Sequence, residues 1–163
     1  MSDKVVVNVD DVPLMDRGNG KRFAVKWGRV GPLLGLSRLG CAVHVVPAGK
    51  SAFPFHRHHI MDELIFVLAG EGEYRFGEEK HPVRAGDFVG APAGGKAHQL
   101  INTGKSDLRY LGISSLSDVE VVEYPDSGKV GVMAGVKNGN FADASYRQIG
   151  RIAATDYFDG EDK

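Results

Sequence analysis

Short apolar runs alternate with turns rich in glycine and proline along most of the chain. The sequence contains 22 glycines and 7 prolines, and many of them lie between the apolar runs. No long window has apolar residues at the i, i+3, i+4 and i+7 spacing of an amphipathic helix. Short apolar runs bounded by turn residues are typical of β-strands. The pattern therefore predicts an all-β protein.

The apolar runs also predict where the strands lie. The predicted strands cover residues 5–9, 23–29, 33–39, 42–46, 53–58, 63–68, 72–76, 87–90, 98–102, 108–114 and 119–123. Turn-forming residues at 77–79, 84–87 and 102–105 separate several of them. Many short strands with regular turns indicate a barrel or a sandwich of sheets.

The chain is long enough for one domain with a sizeable core, so we predict a single domain over residues 1–163. Within it, we expect N-terminal strands over 5–39, a core barrel over about 40–124 and a loop-rich extension over 125–163. A short helix is predicted around 144–149 in that extension. The segment 64–68 is apolar on both faces of its predicted strand, which favours a second packing surface and hence a homodimer.

The charge balance limits the class of partner. Lys and Arg number 20 and Asp and Glu number 21, so the net charge is -1. A near-neutral chain offers no broad electrostatic surface for nucleic acid or anionic lipid. We therefore expect a small-molecule substrate and no nucleic acid or membrane partner.

The single cysteine and the lengths of the apolar runs are evidence about the cellular compartment of the protein. The single cysteine, Cys41, cannot form an internal disulfide and lies in an apolar run. The N-terminal segment has no secretory pattern, and the longest apolar run, 64–69, is far shorter than the roughly 20 residues of a membrane-spanning helix. These features predict a cytoplasmic protein.

Histidines at alternate positions are the strongest chemical pattern in the sequence. His56 and His58 would lie on one face of a strand, with Cβ atoms about 6.6 Å apart, close enough for both rings to reach one ion. Glu63 follows at the start of the strongest apolar strand, and His98 follows a glycine- and proline-containing turn. Three imidazoles and one carboxylate form a ligand set for Fe(II), Mn(II), Ni(II), Co(II) or Zn(II). The alternative is a set of hydrogen-bonded interior histidines without a metal.

At this point the sequence resembles the cupin superfamily. Its first motif, which contains a glycine, a His-x-His pair, a glutamate and a closing glycine, is matched by Gly49, His56, His58, Glu63 and Gly70. Its second motif, a glycine, a proline, a glycine, a histidine and an asparagine, is matched by Gly86, Pro92, Gly94, His98 and Asn102. One extra residue lies between Gly49 and His56 and one between Gly94 and His98, but neither insertion removes a ligand. The motifs span about a third of the chain.

The resemblance implies a double-stranded β-helix, also called a jelly-roll barrel, with a divalent metal ion inside it. In this resemblance the ligands are His56, His58, Glu63 and His98. Segments 123–129 and 157–161 look like those of small single-domain bacterial cupins described as proposed sugar-phosphate isomerases.

These features lead to one main functional hypothesis and two alternatives. The main hypothesis is an isomerase-like enzyme in which the metal, as a Lewis acid, stabilises an enediolate of a small oxygenated substrate such as a sugar phosphate. The alternatives are an Fe(II)-dependent dioxygenase and a non-catalytic small-ligand-binding or sensor protein. No catalytic base can be assigned from the sequence, because His44, Tyr74 and Tyr110 qualify only if their strands turn them inward.

Overall fold

The computed structural model describes residues 4–162. Within that range the chain forms thirteen strands: β1 (Met15–Gly18), β2 (Ala24–Arg29), β3 (Leu39–Val46), β4 (Arg57–His58), β5 (Glu63–Ala69), β6 (Glu71–Phe76), β7 (Glu79–Arg84), β8 (Phe88–Ala91), β9 (His98–Ile101), β10 (Leu108–Ser115), β11 (Val119–Tyr124), β12 (Lys129–Ala134) and β13 (Tyr146–Gly150). Short 3₁₀ helices occupy Val9–Asp11, Gly31–Leu34, Pro125–Ser127 and Phe141–Asp143. No helix in the described range is long and apolar enough to cross a membrane. The all-β prediction is confirmed.

The strands form three antiparallel sheets. The largest has the order β1-β2-β3-β10-β5-β8, the second β13-β12-β11-β4 and the third β7-β6-β9. Neighbours in the large sheet are distant in sequence, since β10 pairs with both β3 and β5. The two sequence motifs are joined by the pairing of β5 with β8 and by a bridge between His56 and His98.

The main core lies between the large sheet and the sheet of β6, β7 and β9. On β5, Ile65 and Val67 point into this core while Leu64 and Phe66 face outward, as strand alternation requires. Leu108 and Val46 are fully or almost fully buried in the same cluster. At roughly 25 cal/mol per Å² of apolar surface, burial of this cluster is the main favourable contribution to folding.

A buried asparagine joins the sheets near the end of β9. Asn102 has no exposed surface, and its Nδ2 donates hydrogen bonds of 2.8 Å to the carbonyl oxygens of Val46 and Ser106. Its Oδ1 accepts a hydrogen bond from the Gly104 amide. The asparagine of the second motif therefore closes a turn and lies away from the histidines.

Two predicted N-terminal strands are wrong. Residues 5–8 form no strand, and Val5 and Val6 are exposed without a neighbouring strand to pair with. The segment predicted as 33–39 begins as a 3₁₀ helix, because Pro32 occupies its first turn and Gly35 ends it with a φ of 68°. The predicted strand 53–58 shortens to β4.

The C-terminal extension contains more regular structure than expected. The predicted helix at 144–149 is wrong, because Tyr146–Gly150 pairs with β12 as a strand. The strand β12 also went unpredicted, as did β1 and β7, whose sequences are polar or glycine-containing. Their strand conformation comes from pairing with a neighbour, which a local apolar pattern does not encode.

Candidate metal centre

Backbone pairing brings the two histidine motifs together. His56 and His98 form an antiparallel bridge, with hydrogen bonds of 3.1 Å from the His56 amide and 2.7 Å from the His98 amide. His58 lies in β4, two residues along, and Glu63 is the first residue of β5. The fold thus places all four predicted ligands at one end of the core.

The four side chains meet around one oxygen atom. Oε2 of Glu63 lies 2.9 Å from Nε2 of His98, 3.6 Å from Nε2 of His58 and 3.9 Å from Nε2 of His56. Ligand atoms bound at about 2.1 Å to a common ion lie about 3.0–3.4 Å apart. The distances of the three Nε2 atoms from Oε2 are close to that range.

Two of the imidazoles are oriented by contacts at their other ring nitrogen. Nδ1 of His56 donates a hydrogen bond of 2.8 Å to the carbonyl oxygen of Pro54. Nδ1 of His58 lies 3.4 Å from Oε2 of Glu120. Such contacts fix the ring orientation and leave Nε2 available as a ligand atom.

The protonation states suit metal binding. Burial, with a further contribution from the neighbouring His98, lowers the pKa of His56 to about 4, so its ring is neutral at pH 7. Burial opposes ionisation of Glu63, but the hydrogen bond from His98 and the surrounding imidazoles lower its pKa to about 2. Neutral imidazoles and an ionised carboxylate are the forms that coordinate a metal.

The donor set therefore fits a divalent transition metal. His56, Glu63 and His98 each offer one ligand atom, and these atoms lie within 4.8 Å of one another. The identity of the metal is open, since imidazole and carboxylate donors without a thiolate accept several ions. His58, whose Nε2 is near Glu63, remains a predicted fourth ligand.

A cavity of about 260 Å³ opens onto this cluster. His56, His58 and Glu63 lie on its wall, and apolar side chains such as Phe53 and Val122 form much of the rest. A largely apolar cavity with a few convergent polar groups is typical of a small-molecule site.

His44 is a histidine that lines the same cavity and does not belong to the candidate metal cluster. Its ring stacks on Tyr110 with centroids 4.6 Å apart, and Gly112 leaves room for it, because a Cβ there would lie 2.8 Å from the His44 ring. Burial lowers the pKa of His44 to about 4, so the imidazole is neutral at pH 7. It is therefore in the form that accepts a proton.

The two tyrosines considered as bases from the sequence are less suited to that role. Tyr74 and Tyr110 are buried, and burial raises the pKa of both phenols far above neutrality. The Tyr74 hydroxyl donates a hydrogen bond to the carbonyl oxygen of Gly90. Neither phenol lines the cavity, so neither is a base for a substrate bound there.

Glu120 is a functional candidate that the sequence interpretation missed. Its side chain is fully buried and accepts hydrogen bonds of 3.1–3.2 Å from the amides of residues 59–61 and one of 2.8 Å from its own neighbour Val121. It thereby holds the loop after His58 and contacts the His58 ring. A signal was available in the strand pattern, since Glu120 shares the inward face of β11 with buried Val122.

Replacement of Glu120 should strongly destabilise the protein. In Glu120→Ala the amides of residues 59–61 and Val121 lose their acceptor, and we expect a loss of about 3 kcal/mol in the free energy of unfolding. Urea unfolding of the wild type and the variant measures this difference. Glu78→Ala, at an exposed turn position, is the control and should change stability by less than about 0.5 kcal/mol. A loss below about 1 kcal/mol for Glu120→Ala would show that the loop does not depend on this carboxylate.

The comparisons with known sequences agree on the central part of the chain. Residues 42–114 match the family model described as a cupin domain. An oxalate-binding protein from Thermotoga maritima is 34% identical over 68 residues, which is 42% of this chain and 54% of that protein. An uncharacterized protein from Methanocaldococcus jannaschii is 30% identical over 83 residues, which is 48% of this chain and 65% of that protein. The chain thus spans between half and two thirds of these relatives.

Solved structures resemble nearly the whole chain. A proposed sugar phosphate isomerase from Acidithiobacillus ferrooxidans has a TM-score of 0.79 and 24% identity, covering 94% of this chain and 97% of that one. A sugar phosphate isomerase of the cupin superfamily from Silicibacter pomeroyi has a TM-score of 0.76 and 21% identity, covering 90% and 92%. At this identity the similarity establishes the fold, and it confirms the predicted double-stranded β-helix. Residues 42–114, the segment that matches the cupin-domain model, carry His56, His58, Glu63 and His98.

Proposed function

We propose that this protein is a metal-dependent cupin that acts on a small oxygenated molecule by isomerase-like chemistry. The observation that carries the proposal is the convergence of three Nε2 atoms on Oε2 of Glu63 at the wall of a cavity. In this proposal His56, His58, Glu63 and His98 hold the metal. Similarity in fold to structures named as sugar phosphate isomerases supports the choice of a sugar or sugar phosphate as substrate.

A bound divalent ion supplies Lewis-acid stabilisation of negative charge that develops on substrate oxygens. The chain itself orients the ligands through Pro54 and Glu120. The apolar cavity wall excludes water from a bound substrate, which strengthens electrostatic interactions there. Four protein ligands leave room for a substrate in the coordination sphere of a six-coordinate ion.

His44 is the base that we propose for proton transfer within this cavity. Its neutral ring and its position on the cavity wall suit the removal of a proton from a substrate carbon and its return to the neighbouring carbon. The stacked Tyr110 holds the ring plane in place. No catalytic base could be assigned from the sequence, and this proposal assigns His44 to that role.

A non-catalytic binding function is the second candidate. The match to a protein named as oxalate-binding favours it, because a cavity of this kind also suits a small chelating ligand. The two functions share the metal site and differ in whether His44 transfers a proton.

The metal site predicts near-stoichiometric metal in protein purified without an affinity tag or chelator. His58→Ala should lower metal content severalfold, because it removes one predicted ligand, and occupancy of the wild type should fall in mild acid as protons compete for the imidazoles. Elemental analysis after dialysis at several pH values measures both effects.

His81→Ala is the matched control, since His81 is exposed on β7 and lies outside the cluster. It should retain the metal content of the wild type. An absence of metal after reconstitution with Fe(II), Mn(II), Ni(II) and Zn(II) would contradict the metalloenzyme proposal. If the protein holds iron and consumes oxygen with a substrate, the dioxygenase alternative replaces the isomerase.

The base assignment predicts that His44→Asn loses isomerase activity with unchanged metal content. We expect a fall in kcat of about 100-fold or more, the usual contribution of general base catalysis. The assay follows the interconversion of aldose and ketose phosphates and the uptake of solvent deuterium by NMR. His81→Asn is the control. A variant as active as the wild type would exclude His44 as the base, and a wild type inactive on all members of the panel would favour the binding function.

We also propose a homodimer that covers the outer face of β5 and β8. Phe66 and Phe88 stack there with ring centroids 4.4 Å apart, Phe88 is 65% exposed and Leu64 is 38% exposed. The strand β8 is also an edge of the large sheet, so a second copy could cover both the apolar face and the strand edge.

The dimer proposal predicts that Phe88→Asp converts the dimer into a monomer. A buried, unpaired carboxylate at the interface is costly, so the dissociation constant should rise by at least tenfold. Sedimentation velocity over a concentration series measures this. Tyr157→Asp, at an exposed apolar position of the C-terminal tail, is the control. A wild-type monomer at all concentrations, or an unaffected dimer in Phe88→Asp, would contradict the proposed interface.

A further inference from the structure

We infer that Arg17 and Arg29 form an oxyanion subsite in the cavity, which binds a phosphate or carboxylate group of the substrate. This inference rests on the proposed function in so far as it assigns the ligand to the same cavity. It adds a substrate class. The substrate would carry an anionic group in addition to the oxygen atoms that approach the metal cluster.

The charges on the cavity wall are the first observation. Arg17, Arg29 and Glu63 are the residues with permanently charged or acidic side chains among those that line it. Glu63 accepts a hydrogen bond from His98 within the metal cluster. The rest of the wall therefore carries two positive charges and no carboxylate.

The two guanidinium groups have neutral partners within the described part of the chain. Arg17 lies over the ring of Trp27, 5.7 Å from its centroid, and Arg29 donates a hydrogen bond from Nη2 to the carbonyl oxygen of Asn138. No carboxylate among residues 4–162 forms an ion pair with either arginine. Their charge is therefore available to an anion.

The acidic residue next to Arg17 does not neutralise it. Asp16 pairs with Lys26 at 3.8 Å on the hairpin of β1 and β2. Successive side chains of a strand point to opposite faces, so Asp16 and Arg17 face different sides of that hairpin. The positive charge of Arg17 thus remains on the cavity side.

The arginines share one cavity with the candidate metal ligands. Arg17 and Arg29 line the same cavity as His56 and Glu63. An anionic group held by the guanidinium groups would therefore belong to a molecule that occupies this cavity.

Guanidinium groups suit this ligand chemistry. The planar fork of N–H donors matches two oxygens of a phosphate or carboxylate, and charge-assisted hydrogen bonds of this kind are about twice as strong as neutral ones. Phosphate and carboxylate groups share this recognition, so the structure assigns an oxyanion and the experiment must separate the two.

The intrinsic fluorescence of Trp27 can be used to follow anion binding. Trp27 is the single tryptophan of the chain, it lines the cavity and it contacts Arg17. Inorganic phosphate and acetate are titrated separately into the full-length protein at constant ionic strength, with chloride as the balancing anion. Tryptophan fluorescence follows binding, and calorimetry provides a second measurement that does not depend on the environment of Trp27.

We expect saturable binding of at least one of the two anions. Arg17→Gln and Arg29→Gln should each weaken it by about tenfold or more, and Arg29→Lys should recover only part of the loss, because it keeps the charge without the fork. Arg84→Gln is the control, since Arg84 is exposed on β7 and lies outside the cavity. Tighter binding of phosphate would identify a phosphorylated substrate class, and tighter binding of acetate a carboxylate class.

Two results would overturn the subsite: no saturable binding of either anion, or equal affinity in the wild type and in both glutamine variants. The metal content of the same samples is also measured. It distinguishes a failure of the arginine subsite from a failure of the proposed function. Metal retained without anion binding would refute the arginine subsite alone. Arginine-dependent anion binding in a protein that cannot be loaded with metal would refute the metalloenzyme alone.

Discussion

The backbone bridge between His56 and His98 is the contact on which the rest of the site depends. Two hydrogen bonds hold together segments that are far apart in sequence, and they set the distance between the first and second histidine motifs. His98 begins the strand β9, which pairs with β6, and Glu63 begins β5. The candidate metal ligands are therefore held by the backbone pairing of these segments, with little freedom to separate. Rigid placement of this kind lowers the entropic cost of binding an ion.

Burying three imidazoles and a carboxylate has a desolvation cost, and the structure offsets it locally. Glu63 is stabilised as an anion by the hydrogen bond from His98, while burial keeps His56 neutral. The second carboxylate, Glu120, lies beside the His58 ring and accepts hydrogen bonds from the backbone amides of residues 59–61. The same contacts order the loop between β4 and β5, so the stability of the loop and the orientation of His58 have a common origin.

The cavity combines this polar end with apolar walls and a positive region. Its donors and acceptors are few, so each has a large effect on what can bind. The metal cluster, His44 and the two arginines lie on different elements of the large sheet and its neighbours. A substrate that satisfies all three must carry neighbouring oxygens and an anionic group. The proposed isomerase function and the inferred oxyanion subsite are consistent with each other in this respect, although they rest on different residues.

The fold class could be predicted from the sequence for local reasons, and the same local patterns are the basis for the prediction of four metal ligands. Alternation places His56 and His58 on the same face of an extended segment, and short apolar runs between turns indicate strands. One error occurred where a pairing partner decides the structure, and another where local turn residues were overlooked. Most of the segment 144–149 is a strand because β12 lies beside it, and the segment 33–39 begins with a 3₁₀ helix and a turn because of Pro32 and Gly35.

Tertiary structure alone decided the environment of the site. The roles of Glu120, His44 and Arg17 depend on which distant segments face them, and on how much water the fold removes from around them. A local pattern contains neither piece of information. The sequence by itself determined which donor atoms are present and which of them share a strand face. Only the packing of three sheets decided their separations, their pKa values and the charge of the cavity, because these quantities arise from contacts between residues far apart along the chain.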